Sequence, residues 1–248
     1  MTAPSTIQKP IEPSLAPFPI LVPVPTSETA RAATPELKLV RPRRNNQLGH
    51  FYPKYCKHSI EGLLCVALGI VAIPIFLLAS LIVAIEQRSL RRIIYSQTRL
   101  GLDGNSFQIF KLRTMVLAAE ANGPAFSSGA TDTRITKVGR ILRRYRIDEL
   151  PQLWNVMRGD MALIGPRPER PEFSSYIEKM LPDFDQRLLV RPGITGLAQV
   201  SAGYIGADMK GHADKLSFDL EYIDTVSVRR DLGILVRTVH SVLTAQGQ

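Results

Sequence analysis

Gly62-Leu-Leu-Cys-Val-Ala-Leu-Gly-Ile-Val-Ala-Ile-Pro-Ile-Phe-Leu-Leu-Ala-Ser-Leu-Ile-Val-Ala-Ile85 runs for 24 residues without a charged side chain. At about 1.5 Å of rise per residue, a helix of that length matches the ~30 Å hydrocarbon core of a bilayer. Such a run is too uniformly apolar for the surface of a soluble domain, so the chain is expected to be membrane-bound. Arg41, Arg43, Arg44, Lys54 and Lys57 precede the run, and Arg88, Arg91, Arg92 and Arg99 follow it. Flanking basic residues stay on the cytoplasmic side, which favours placing both flanks there. Pro74, near the middle, removes a backbone donor and favours a bend. Together these features predict a re-entrant membrane helix over residues 54–90 that dips into one leaflet and returns. A single-pass span is the alternative, and it would put the N-terminal arm on the opposite side.

On the N-terminal side, residues 1–50 hold nine of the chain's 18 prolines and little periodic pattern. Such a segment pairs and packs poorly, so it reads as a disordered proline-rich arm. On the other side, residues 91–248 are enough for one catalytic domain. The net charge of +9 predicts an anionic partner, whether membrane surface, nucleotide or nucleic acid. His50, His58, His212 and His240 are scattered, and Cys56 and Cys65 lack metal-ligand spacing, so nothing points to zinc. There is no Walker loop and no Gly-x-Gly-x-x-Gly fingerprint.

The densest chemistry lies in Arg134–Pro168. Ile135, Val138, Ile141, Leu142 and Tyr145 recur at helical spacing among Arg134, Lys137, Arg140, Arg143, Arg144 and Arg146, which predicts a very basic amphipathic helix. Asp148 and Glu149 follow, then Leu150 and Pro151, so Asp148 is expected to cap a second helix whose core positions are Leu153, Trp154 and Val156. A carboxylate pair with arginines on both sides suits a phosphorylated anion: the guanidinium forks bind oxygens while the acids react or hold a metal. Set against this, an Asp-Glu pair at a helix start is ordinarily a cap, and a basic helix is ordinarily a solvated or lipid-facing surface.

The wider pattern separates these readings. Lys111-Leu-Arg-Thr-Met115, Asp148-Glu-Leu-Pro-Gln-Leu-Trp-Asn-Val-Met-Arg-Gly-Asp-Met-Ala-Leu-Ile-Gly-Pro-Arg-Pro168 and Arg191-Pro-Gly-Ile-Thr-Gly-Leu-Ala-Gln-Val200 resemble the motifs of the bacterial sugar transferases, the monotopic polyprenyl-phosphate phosphoglycosyl transferases. The resemblance covers about residues 54 to 243. Lys57-His-Ser-Ile-Glu61 resembles that family's Lys-Arg-x-x-Asp entry, with His58 and Glu61 substituted, and Ser201-Ala-Gly-Tyr-Ile205 departs from the Gly-Arg that commonly follows its third motif.

The resemblance implies a mainly α fold with a small β-hairpin, a re-entrant membrane helix bent at Pro74, and a catalytic domain on the cytosolic face carrying amphipathic interfacial helices. It implies transfer of a sugar 1-phosphate from a UDP-sugar to polyprenyl phosphate at the bacterial cytoplasmic membrane, beginning exopolysaccharide or another surface glycan. In that reading Asp148 is the nucleophile and Glu149 supports it or positions a divalent cation. Mg²⁺ is the expected cofactor, held by Asp148 and Glu149, because it prefers carboxylate and phosphate oxygens. Arg167 and Arg191 are expected phosphate ligands. Lys111 and Arg113 share one face of a strand and serve phosphates or merely solvate the hairpin.

Residues 115–121 are expected to be helical, and 122–133 to be a small-residue loop acting as lid or connector. Phe173–Leu181 should be an amphipathic helix, Arg191–Gln199 a tight loop, and Glu169 a surface salt-bridge partner. The closing helix, with Leu232, Leu235, Val236 and Val239, lies at the membrane plane or packs on the core or on a partner. A homo-oligomer is compatible with all of this. The rival classes are a membrane-tethered nucleic-acid binder and a non-catalytic scaffold on anionic lipid, neither of which requires the carboxylate pair.

Overall fold

The computed structural model describes residues 52–121, 123, 125, 131–201 and 209–244. The proline-rich arm, most of the 122–133 loop and residues 202–208 therefore lie outside the described residues. The chain is mainly helical, with one antiparallel hairpin as expected and a second, small parallel sheet that was not.

After a π-helical turn at Tyr52–Cys56, α1 runs from Lys57 to Gln87. It is the only described helix long and apolar enough to cross a membrane. The expected break at Pro74 is not present in the helix itself: Pro74 lies inside one continuous helix. At the C-terminal end Arg88 turns into the left-handed region (φ 50°), and its amide and that of Ser89 close back onto Ile85 O and Ala84 O. Burial is confined to the two ends of α1. Lys57, Glu61 and Cys65 are buried near one end, and Ala79, Val83 and Ala84 near the other; residues 66–78 hold no buried side chain. Cys65 joins a core with Val156, Ile164, Tyr222 and Ile234, whereas Ala79 and Val83 pack on Leu112 and Leu142. Both ends of one apolar helix are thus docked on the same body, and the buried side chains at its two ends are separated by a stretch that buries none.

β1 (Ile94–Leu100) and β2 (Ser106–Leu112) pair antiparallel from Ile94↔Leu112 to Leu100↔Ser106. The turn between them needs left-handed backbone at Asp103 (φ 55°) and Gly104 (φ 76°), which Asp and Gly tolerate. The helix expected over residues 115–121 does not form: Met115 bridges Ile135, and the chain then turns. Its alanines favour a helix locally, but pairing with the start of the basic helix takes the backbone instead.

The basic helix is α2, Lys137–Arg144, and α3 spans Gln152–Arg158. Gly139 lets α2 approach the hairpin's exit, because a Cβ there would lie 2.1 Å from Thr114 O. Ile135 and Leu142 face inward as expected; Ile141 and Tyr145 do not, and are exposed. Trp154 likewise departs from its expected core position at 56 % exposure, while Val156 is fully buried. Helical spacing fixes which residues share a face but not whether that face meets protein or lipid.

The segment expected as a tight loop from Arg191 contains β4 (Gly193–Thr195), which pairs parallel with β3 (Ala162–Ile164), and then α5 (Leu197–Ser201). Gly165 and Gly193 touch: a Cβ on Gly193 would sit 2.1 Å from Gly165 N. α4 (Pro171–Glu178) overlaps the helix expected over Phe173–Leu181 but starts two residues earlier and ends three earlier, and α6 (Met209–Asp224) and α7 (Val228–Leu243) close the fold.

Candidate active site

Backbone geometry places the carboxylate pair. Thr136 caps α2, accepting from Gly139 N at 2.9 Å, while Glu86 at the end of α1 accepts from Thr136 Oγ1 at 2.8 Å and from Val138 N at 3.3 Å. α2 stops at Tyr145, and Arg146 takes a left-handed conformation (φ 55°, ψ 21°) that reverses the chain into a 3₁₀ turn, Ile147–Glu149. A non-glycine residue held there is strained, and such strain concentrates at functional turns. Asp148 therefore does not cap the second helix. The cap position of α3 is Pro151, which offers no side-chain acceptor, and the dyad sits one turn earlier on its own support. Asn155 on α3 ties this support to the hairpin, accepting from Phe110 N at 3.2 Å and donating to Gln108 O at 2.7 Å.

Both carboxylates are buried, but their surroundings differ. Glu149 Oε1 accepts from Lys111 Nζ at 3.1 Å and from Arg167 Nη2, and Arg146 Nη1 lies 3.8 Å from Oε2. Burial pushes the Glu149 carboxyl up, but Arg167 and Lys111 outweigh it and hold the group well below the usual carboxylate range. Asp148 accepts no hydrogen bond from the described residues. Burial and the neighbouring Glu149 charge raise its pKa, against the pull of Lys111, Arg143 and Arg167. Lys111, buried beside other cations, is lowered to about 8. Four cations (Lys111, Arg143, Arg146 and Arg167) face two carboxylates, which leaves two positive charges in excess for an incoming anion.

The expected turns at Arg158–Asp160 and Gly165–Pro168 thus do bring Arg167 back to the dyad, and Lys111 meets it from the end of β2. The other two expected phosphate ligands are engaged elsewhere. Arg113 Nε donates to Arg92 O at 2.9 Å and its guanidinium lies over the Tyr95 ring, while Arg191 Nε donates to Gly159 O at 3.1 Å. Glu169 is not a surface pair: Lys215, Arg187 and Arg99 surround it.

Three residues near the dyad were not singled out from sequence. Arg143 donates to Thr114 Oγ1 at 2.8 Å and acts on Asp148. It lies one helical turn after Gly139, and a glycine within so basic a helix was the available sign that this face is packed. Arg146 carried no sign of its left-handed backbone. Gln152 is fully buried one turn after Asp148, with neither amide atom hydrogen-bonded to protein.

A buried, unpaired carboxylate beside a cationic clamp, at the foot of an apolar helix, agrees with the family model "Bacterial sugar transferase", which matches residues 52–245. The chain belongs to the bacterial sugar transferase family. It is 38% identical over 204 residues to the UDP-N-acetylgalactosamine-undecaprenyl-phosphate N-acetylgalactosaminephosphotransferase of Aeromonas hydrophila, covering 82% of this chain and 48% of that protein. It is 46% identical over 173 residues to the UDP-glucose:undecaprenyl-phosphate glucose-1-phosphate transferase of Caulobacter vibrioides, covering 69% and 63%. It is 32% identical to the UDP-galactose-lipid carrier transferase of Erwinia amylovora over 83% of this chain and 44% of that one. This sugar transferase chain therefore spans about half to somewhat under two thirds of the length of these curated relatives, whose names carry three different sugars.

Proposed function

We propose that this chain transfers a sugar 1-phosphate from a UDP-sugar to polyprenyl phosphate, such as undecaprenyl phosphate, in two displacements at phosphorus. In the first, a carboxylate oxygen of Asp148 attacks the phosphorus that bears the sugar; the bond to the bridging oxygen breaks and UMP leaves with the electron pair. The product is a phosphosugar carried on Asp148 as an acyl phosphate. In the second, an oxygen of polyprenyl phosphate attacks the same phosphorus, releasing the Asp148 carboxylate and giving polyprenyl diphosphate-sugar. The observation that carries this reading is the contrast within the dyad: Glu149 Oε1 is held by Lys111 and Arg167, while Asp148 is buried and accepts no hydrogen bond from the described residues. The fixed cations receive the charge that develops on the non-bridging oxygens without rearranging as the reaction proceeds.

Mg²⁺ fits this donor set. Glu149 Oε2 is buried without a hydrogen-bond partner and Asp148 is open, and Mg²⁺ commonly takes one or two carboxylates together with substrate phosphates. Asp148 and Glu149 would hold it, and when bound it supplies charge neutralisation to the donor diphosphate. Chelation with EDTA is expected to remove activity and added Mg²⁺ to restore it.

The chain works at the inner face of the bacterial cytoplasmic membrane, with α1 re-entrant. Support comes from its two ends, which both dock on the catalytic body while residues 66–78 bury no side chain. The lipid product begins an exopolysaccharide or another surface glycan. The decisive test is UMP release that depends on polyprenyl phosphate, measured over a panel of UDP-sugars. Sugar-labelled donor is expected to label the polypeptide when acceptor is omitted. Turnover without any labelled protein would favour direct transfer between the substrates.

A further inference from the structure

Pro166-Arg167-Pro168-Glu169 carries a guanidinium of the site on backbone that belongs to no helix or strand. Two of its residues are prolines, which donate no backbone hydrogen bond. Its position is set from outside, through four consecutive carbonyls, the first being Pro166 O, which accepts from Gly193 N at 2.9 Å. Arg167 O accepts from Arg187 Nη2 at 2.8 Å, Pro168 O from Arg99 Nη1 at 3.1 Å, and Glu169 O from Leu100 N at 2.9 Å. The two guanidiniums converge on one carboxylate: Arg187 Nη1 lies 3.5 Å from Glu169 Oε1, and Arg99 Nη1 lies 3.8 Å from Oε2. Lys215 also pairs with Glu169 Oε1, and Arg187 Nη2 stands 2.8 Å from Asp219 Oδ2. The Arg187 side chain is only 3% exposed and stacks on Phe184, so its reach is fixed.

We propose that Arg187 and Arg99, braced by Glu169, are positioning residues that hold the Arg167–Pro168 backbone so that the Arg167 guanidinium meets both Glu149 and the donor diphosphate. The inference rests on the reading of Arg167 as a phosphate-binding residue. Its physical basis is that a substrate-binding group loses its advantage when displaced by about 1 Å, and the carbonyls of Arg167 and Pro168 are held by the Arg187 and Arg99 guanidiniums. Lysine at 187 keeps the positive charge beside Asp219 but loses the fork that spans Asp219, Glu169 and the Arg167 carbonyl at once.

The test is a double-mutant cycle on full-length protein, read as kcat/KM for UDP-sugar with labelled donor. Arg187→Lys is expected to lower kcat/KM roughly tenfold to a hundredfold in the wild-type background. In the Arg167→Ala background it is expected to change it by no more than about threefold, because the residue through which it acts is gone. Equal losses in the two backgrounds, or no loss in the first, overturn the positioning role. If Arg167→Ala alone leaves kcat/KM unchanged, the phosphate-binding reading fails first, and that outcome is distinguishable from the others. If Arg187→Lys does not fold, judged by its unfolding midpoint, Arg99→Lys runs the same cycle from the more exposed side of the brace. If Arg167→Ala leaves no measurable turnover, the cycle is read on UDP affinity, with the same two outcomes.

Discussion

Lys57, Glu61 and Asp231 form one buried ion cluster, and Lys111, Asp148, Glu149 and Arg167 form another; they differ in what is left unpaired. In the first, Lys57 Nζ donates to Glu61 Oε1 and Asp231 Oδ2, each at 2.6 Å. Ile164 N donates to Glu61, Tyr52 OH to Asp231 Oδ2 and Tyr222 OH to Asp231 Oδ1. Burial and the Asp231 charge push both tyrosine hydroxyls up, so they remain donors. In the second cluster one oxygen of Glu149 takes Lys111 and Arg167, while Glu149 Oε2 is without a hydrogen-bond partner and Asp148 accepts no hydrogen bond from the described residues. A cluster in which each charged group has an opposite partner serves to lock α1 to α7 and β3. An unsaturated one carries a desolvation penalty that a substrate or cation can relieve.

The sharpest way to break this contrast is Asp148→Asn. It is expected to reduce polyprenyl-phosphate-dependent UMP release by a factor on the order of 10⁴ or more, as loss of a nucleophile does. Because burial raises the Asp148 pKa, its ionised form is unfavourable in the fold, so the unfolding midpoint should hold or rise. Turnover within tenfold of wild type, or a clear loss of stability, would assign Asp148 to the structural class.

The matching experiment on the first cluster should do the reverse. Lys57→Ala strands Glu61 and Asp231 as buried, uncompensated charges, and breaking such a pair typically costs about 3–5 kcal/mol. Denaturant unfolding in detergent measures the loss, and KM for the UDP-sugar in the fraction that remains folded should not move. A stable variant with altered KM would move this cluster into the active site.

How far each cluster could be read in advance follows from how its partners are spaced. The dyad, Lys111 and Arg167 lie in motifs that announce phosphate chemistry by residue type, so sequence found them; α1 and the hairpin were equally plain from charge-free length and from the Leu100–Asn105 turn. Asp231 lies 174 residues from Lys57, and no local pattern ties an aspartate in a C-terminal helix to a lysine before the membrane segment. The β3–β4 pairing was hidden for the same reason, being two three-residue strands that gain meaning only beside each other. Trp154 was placed in the core because spacing cannot tell lipid from protein, and Arg146 was overlooked because a left-handed arginine leaves no compositional trace.

A smaller effect separates the two carboxylates by pH. In the proposed reaction Asp148 attacks as its anion, and its pKa is raised, so activity should fall as pH drops through a value above the ordinary aspartate pKa of about 3.9. Lys111 binds as a cation and is lowered to about 8, so kcat/KM should also fall as pH rises through about 8, by about tenfold per unit. Lys111→Arg should abolish the alkaline limb and leave the acid limb in place. If the alkaline limb persists unchanged in that variant, Lys111 is not the titrating group, and the clamp on Glu149 is not what shapes the profile.

The weakest effect tests the outer side of the first cluster. Asp231 is buried in the first turn of α7, but Val228, Leu232, Val236, Val239 and Leu243 follow at steps of four, four, three and four and are all exposed, Leu232 at 63 %. Arg229, Arg230 and Arg237 lie among them, the pattern of a helix lying in a membrane surface. Because α1 anchors the protein independently, Leu232→Ser with Val236→Ser should not release it from the bilayer. A buried Leu or Val side chain is worth about 1.5–3 kcal/mol, and a residue at the interface gains only part of that. The double variant should therefore raise KM for polyprenyl phosphate, the substrate drawn from the bilayer, by a few-fold, with KM for the UDP-sugar unchanged. Equal changes in both constants, or a lowered unfolding midpoint, would mean that the stripe packs against protein rather than lipid.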